Sequence, residues 1–245
     1  MEEQVFLYSY LLIVLSLLIA YKEGLGNERD IFLSSIRTAV QLVALGYLLK
    51  YLLKLSSLLE ILGVILAMSF VSAFIAYERV RHREILLTGF LSITLTTFMT
   101  VTPLLSLNIL SPTPHQLIPF GGLIVGNTLN SITLAFDRFL GDLNNRLWEV
   151  EAKVALGASL RQAMDEIFRD SLRASLIPKI NFMKAAGLVH IPGVAVGMLM
   201  AGADPIRAIL FQIVILYALL FAGLLGGAVM LYLNYKRSLK MISKT

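Results

Sequence analysis

The chain has 245 residues, 57% of them hydrophobic and 15% charged, with a formal net charge of +5 and a mean hydropathy of +0.78. That charged fraction lies well below the roughly 25% of an ordinary soluble domain, so a water-soluble globular domain is excluded. The basic surplus sits at the ends of apolar runs, not in one patch, so it does not point to nucleic acid. The absence of cysteine excludes disulfides, thiolate metal sites and cysteine nucleophiles.

Only helices or closed barrels cross a bilayer, and a helix needs about 20 apolar residues to do so. The chain predicts an all-α polytopic transmembrane helical bundle of about seven spans. In order these are Val5–Tyr21, Ile31–Leu53, Leu58–Tyr77, Ile85–Leu107, Leu117–Phe136, Ala185–Ala203 and Ile206–Leu233. The start of the second, Glu28 to Arg37, is open to an interfacial placement, because an arginine at the bilayer centre is costly. The opening Met-Glu-Glu-Gln is acidic and unlike a cleaved signal peptide. With no internal repeat and no low-complexity linker, residues 1–245 read as a single membrane domain.

One stretch differs from the rest. Seven of the 16 acidic and eight of the 21 basic residues lie between Asp137 and Lys184. Within it, Val150, Val154 and Leu156 form an apolar stripe at helical spacing. Gly157 ends that helix, since glycine tolerates the left-handed C-terminal cap. Ser159 with Gln162 three residues on reads as a capping box opening a second helix. Leu160, Met164, Ile167 and Phe168 line one face of that helix, and Pro178 is expected to close it. A plain connection is about 2–8 residues, so this segment reads as a contact surface. The blander reading is a solvated link between spans.

Lysine and arginine set the orientation. With the N-terminus outside and the C-terminus inside, 18 of the 21 lie in inside segments, and only Lys50, Lys54 and Arg207 lie outside. The charged segment is then a cytoplasmic loop over about 137–184.

The chain has no G-x-x-x-x-G-K-[ST] loop and no H-E-x-x-H motif. His82, His115 and His190 are far apart in sequence. No nucleophilic or metal-assisted constellation is evident, so the chain is not read as an enzyme, and its metal ligands, if any, are unknown. Polar residues at membrane depth mark candidate pathways. Asn127, Asn130 and Ser131 share one face of the fifth span. They either line a hydrated path or bond to neighbouring helices, and both readings stand. Threonines Thr94, Thr96, Thr97, Thr100 and Thr102 in the fourth span are assigned to structure. In the sixth span, His190-Ile191-Pro192-Gly193 predicts a kink at Pro192 and Gly193, of the broken-helix kind that marks transport sites. His190 is read as a satisfied core residue beside that kink or as part of the pathway. Met68, Met99, Met183, Met198 and Met200 are soft donors or gap-fillers, with Met198 kept as a pathway candidate. Asp204-Pro205 predicts the turn between the last two spans. Glycine pairs at four-residue spacing, Gly122/Gly126, Gly193/Gly197 and Gly223/Gly227, allow close helix approach within the protomer or at a dimer seam.

Glu151-Ala152, Gly157 six residues on, and Ile167 ten beyond Gly157 resemble the cytoplasmic coupling loop of ABC transporter permeases. Lys153 stands where that family has a second alanine, and Asp170 where it has a proline. Pro119-Phe-Gly-Gly-Leu-Ile-Val-Gly-Asn127, the run Ala155-Leu-Gly-Ala-Ser159, Ile191-Pro-Gly193 and Ala201-Gly-Ala-Asp-Pro205 narrow the resemblance to iron-export permeases of the FetB type, and plant aluminium-sensitivity proteins are similar. The run after Pro192-Gly193, Val194-Ala-Val-Gly197-Met198, is poorer in methionine and glutamine than that type. The resemblance covers essentially the whole chain. It implies a permease subunit in the cell (inner or plasma) membrane that exports a metal ion such as iron, acts as a homodimer and carries no cofactor of its own. A separate ABC ATP-binding subunit would bind ATP and Mg and dock on Glu151, Ala152, Gly157, Ala158 and Ser159. The alternatives are an ATP-independent secondary transporter or channel, or a membrane scaffold that recruits a soluble partner.

Overall fold

In the computed structural model the described residues are 2–80 and 84–242, with side chains for 10–80 and 85–238. His82, and Arg81 and Arg83, which the orientation reading places inside, lie outside them. All ten regular elements among the described residues are helices. Five of these are long and apolar enough to cross a membrane.

The chain divides into two units, Met1–Leu55 and Ser56–Thr245. In the first, α1 (Glu2–Lys22) and α2 (Glu28–Leu52) pack on each other. The turn between them uses Gly24 and Gly26, both left-handed at φ +62° and +69°, a geometry that costs glycine little. α2 runs unbroken from Glu28 through Arg37, and none of its residues is buried.

The second unit holds α3 (Leu58–Val80), α4 (Glu84–Ser106), α5 (Pro114–Asn145), α6 (Leu147–Ala155), α7 (Leu160–Ala163), α8 (Asp165–Ala185), α9 (Gly193–Met200) and α10 (Pro205–Ile242). α5 is the central post, in contact with α3, α4, α8 and α10. Its fully buried Ile124, Ile132, Phe136 and Phe139 share the core with the buried Ile61 and Ile65 of α3 and Ile93 of α4. At 32 residues it is about 48 Å long, so it outruns the hydrocarbon layer of about 30 Å.

Glycine sets how closely these helices approach. A Cβ on Gly226 of α10 would stand 2.5 Å from Thr128 Cγ2 of α5, and one on Gly227 would stand 2.9 Å from Leu172 Cδ1 of α8. The Gly223/Gly227 pair therefore serves packing within the chain. Gly126, Gly193 and Gly197 have nothing within 4 Å of such a Cβ.

Two expectations about helix ends change. The second helix of the charged segment is not one piece: a break at Met164 (φ −95°, ψ 2°) separates a one-turn α7 from α8. Nor does Pro178 close it. Pro178 lies inside α8, so the Ala174 carbonyl loses its helical donor, yet packing of α8 against α5 and α10 carries the helix on to Ala185. Ile167, Phe168, Ser171 and Ser175 are buried, and Lys179 reaches Gly223 of α10, so α8 packs into the bundle and is not a solvated loop.

The sixth expected span, Ala185–Ala203, is not a continuous helix. α8 ends at Ala185, a tight turn follows, and α9 has eight residues, about 12 Å of helix. Gly187 is left-handed at φ +81°, its N–H donates to the His190 carbonyl at 2.9 Å, and Pro192 is extended as the N-cap of α9. The sequence marks the kink at Pro192 and Gly193; the structure widens it to a full break. The Asp204 turn forms as expected, with Asp204 Oδ1 accepting from the Arg207 N–H at 2.9 Å.

Candidate transport cavity and coupling elbow

The break between α8 and α9 opens a cavity of about 510 Å³ between α5, α8, α9 and α10. α5 presents Asn127 and Asn130, α8 presents Ser175, Pro178, Lys179, Phe182 and Met183, the start of α9 presents Pro192, Gly193 and Val194, and α10 presents Gln212 among leucines and isoleucines. Most of the wall is apolar, as binding cavities usually are, with a few placed polar groups.

Four of the expected pathway or kink residues line this cavity: Asn127, Asn130, Pro192 and Gly193. The amides of Asn127 and Asn130 make no side-chain hydrogen bond with a described residue. Ser131 is buried behind them. Its hydroxyl donates to the Asn127 carbonyl at 3.0 Å and accepts from Lys179 Nζ. His190 stands apart from the lining; its ring packs on Phe182 at 4.5 Å between centroids, and its buried Nε2 has no described partner. Met198 is elsewhere, in a second cleft with Gln116, Asp204 and Arg207. The threonines of α4 split: Thr100 bonds the Thr96 carbonyl at 2.7 Å, whereas the buried hydroxyls of Thr94, Thr96 and Thr97 have no described partner.

Sequence reasoning does not place Ser175, Lys179 or Gln212 at the cavity. The sequence places Lys179 among the charges of the loop, yet its stem packs on Gly223 of α10, where a Cβ would sit 2.5 Å from Lys179 Cε. A local signal existed: Ser175 and Lys179, at i and i+4, share a face on a segment otherwise rich in Ile and Phe. Gln212 of α10 accepts from the Ala195 N–H at 3.1 Å. This satisfies one of the orphan donors at the start of α9, which has no side-chain cap of its own. No spacing rule links Gln212 to Ala195.

The second region is the charged elbow formed by α6, α7 and the first turns of α8. Arg146 ties it together, with its guanidinium 2.7 Å from Glu149 and 2.7 Å from Glu166 across the bend. The Arg146 hydrogen bond holds the Glu149 carboxyl below its ordinary range, and the two carboxylates raise the Arg146 guanidinium further. Gly157 is left-handed at φ +95°. The capping box is present: Ser159 Oγ accepts from the Gln162 N–H, and Gln162 Oε1 accepts from the Ser159 N–H at 2.9 Å. Glu151, Ala152 and Gly157 are exposed, as is Ser159, while Ala158 is half-buried. Trp148 is 70% exposed and Leu156 89% exposed beside these ion pairs. Arg161 closes the elbow onto α10, with its guanidinium 4.1 Å from the Phe168 ring centroid and 5.2 Å from that of Tyr232. The elbow and the C-terminal end of α10 therefore share one end of the bundle.

A family profile, the Uncharacterised protein family UPF0014, matches residues 4–239. The chain belongs to this family. Among its relatives, the Probable iron export permease protein FetB of Escherichia coli (strain K12) is 32% identical over 228 residues, covering 93% of this chain and 88% of the relative. The UPF0014 membrane protein slr1647 of Synechocystis is 34% identical, covering 83% and 81%. Protein ALUMINUM SENSITIVE 3 of Arabidopsis thaliana is 31% identical, covering 90% and 81%. No solved structure matches. The chain is thus a multi-pass membrane protein of a family with named permeases.

Proposed function

We propose that this chain is the membrane-spanning subunit of an ABC transporter that exports a metal such as iron. In this reading a separate ATP-binding subunit docks on the elbow from the cytosol, and two copies of the chain form the membrane part. The N-terminus is outside and the C-terminus inside, in keeping with the lysine and arginine bias. Iron enters through the name of the Escherichia coli relative.

One observation carries the reading. Trp148 and Leu156 stand exposed on an elbow otherwise laced with ion pairs. Ion pairs of that kind belong in water, and a large apolar side chain in water is an anchor for a protein partner. Gly157 beside Leu156 leaves the turn thin enough to enter a groove. Nucleotide-driven movement of the docked subunit would push α6 to α8, and α8 would carry the push to the cavity.

The test is co-purification of the ATPase with wild-type chain, Leu156→Asp and Gly157→Trp, each in native membranes. Both variants are expected to insert normally and to lose the ATPase. Undiminished co-purification would refute the elbow as the docking site. Reconstituted wild-type complex is expected to show ATPase activity stimulated by cargo, and transport by the chain alone without nucleotide would overturn the reading.

A further inference from the structure

The polar groups of the cavity wall are biased toward donors, and its one charge is positive. Lys179 lines the cavity and no described carboxylate does. Nor do the described residues gather three or more His, Asp or Glu anywhere into a metal-binding group. The bonding pattern fixes which way Lys179 acts. The Ser131 hydroxyl spends its hydrogen on the Asn127 carbonyl, so toward Lys179 it accepts, and Nζ donates. A second contact, to the Asn127 carbonyl, is long at 3.5 Å. An ammonium has three donors, and the third has no described acceptor. Gln212 spends its oxygen on Ala195, which leaves its NH₂ group for the cavity. The amide oxygens of Asn127 and Asn130, the Ser175 hydroxyl and the Ala174 carbonyl freed by Pro178 offset part of this excess.

A bare metal cation is poorly served here. It would meet a lysine with no facing carboxylate, in apolar surroundings where charges are weakly screened. Hard cations also need a shell of six or more oxygens, and the wall offers no ionised one. An oxyanion would find the opposite: a free ammonium N–H for a charge-assisted bond, amide donors beside it, and room for an organic body against Leu123, Leu134 and Leu219. We infer that this cavity binds an organic anion bearing carboxylate or phosphate, and that a metal carried by this chain enters it as the complex of such an anion. The inference rests on the permease reading above and names the form of its cargo.

The experiment is equilibrium binding to the full-length protein in nanodiscs, without any ATPase, using radiolabelled citrate, phenyl phosphate as competitor, and Mn²⁺ alone. Citrate is expected to bind saturably and to be displaced by phenyl phosphate. Lys179→Gln should weaken it by about tenfold or more, and Lys179→Arg should keep most of it, as loss and retention of one charge-assisted contact predict. Asn130→Asp, at an exposed position where folding is not at stake, should weaken citrate and admit Mn²⁺. Citrate binding equal in all four proteins, or absent in wild type, would overturn the inference, as would Mn²⁺ binding to wild type that Lys179→Gln leaves unchanged. Because the ATPase is left out, a failure here leaves the elbow's docking role standing, and loss of docking leaves this result readable.

Discussion

Two glycines on α10 meet their neighbours at the same distance and should answer the same mutation differently. A Cβ on Gly226 would stand 2.5 Å from Thr128 Cγ2, and one on Gly223 would stand 2.5 Å from Lys179 Cε. Ordinary carbon contacts are about 3.5–4.0 Å, so each alanine is about 1 Å too close. Thr128 cannot yield. It is fully buried, β-branched and so stiff at χ1, and its hydroxyl is held by the Ile124 carbonyl at 2.8 Å. Behind it Ile132 Cγ2 is 3.5 Å from the same point. Gly226→Ala must therefore move α10 off α5, at the overpacking cost of about 1–3 kcal/mol. For a chain of this size that is a fall in melting temperature of about 2–12 °C. At Gly223 the obstacle is the far end of a flexible stem, which can swing into the cavity without moving either helix. Gly223→Ala should melt close to wild type while displacing the ammonium from Ser131. Thermal unfolding of the three proteins in one detergent, followed by citrate binding, separates the outcomes. If Gly226→Ala melts with wild type, or Gly223→Ala falls as far as Gly226→Ala, the packing argument is wrong.

Gln212→Leu removes the acceptor for the Ala195 N–H inside a buried setting, a loss of about 1–3 kcal/mol. A helix as short as α9 is marginal alone, so its amides should exchange with solvent faster while α5 and α10 stay protected; unchanged exchange would show the bond idle. The Glu149 carboxyl is held below its ordinary value by Arg146, so the sign follows: the contribution is full above the unfolded value of about 4.3 and is lost as pH falls through the lower folded value. Protection factors for hydrogen exchange at the elbow should be flat above that range and fall below it, and Glu149→Gln should abolish the step. Arg161→Gln removes the stack on Phe168 and Tyr232, so the ATPase should still co-purify while nucleotide-driven transport falls; full transport would exclude Arg161 as a link.

The sequence makes legible whatever is local. Apolar runs mark α3, α4, α5 and α10, because span length and hydropathy are properties of contiguous residues. The capping box at Ser159 and the left-handed Gly157 are legible for the same reason: each is set within four residues. The sixth span misled because an apolar stretch such as Ala185–Ala203 has the same composition whether it crosses or folds back. Lys179 was illegible because its place depends on Gly223, on another helix, having no side chain. Asn127 and Asn130 were legible as a face; that a cavity, and not a neighbouring helix, would meet that face depended on where α8 stops.

α10 joins the two regions. It meets the elbow where Tyr232 lies 4.8 Å from Phe168, and it is held to α4 where the Thr88 hydroxyl meets Asn234 Oδ1 at 3.3 Å. Further along, Gly223 makes way for Lys179 and Gln212 holds the first turn of α9. From Tyr232 to Gln212 is about 30 Å of continuous helix at 1.5 Å per residue. A helix resists compression along its axis, so a shift imposed at Tyr232 would be passed toward Gly223 and Gln212. α8 is a second line, from Asp165 at the elbow to Lys179 in the cavity, but Pro178 has already cost it a backbone bond just before Lys179. In the proposed transport cycle, a push at the elbow that bends α8 at Pro178 would move the ammonium relative to Gly223 and Ser131. Such a differential motion would tighten or release an anion held by Lys179 without any change in the core around Phe136 and Phe139.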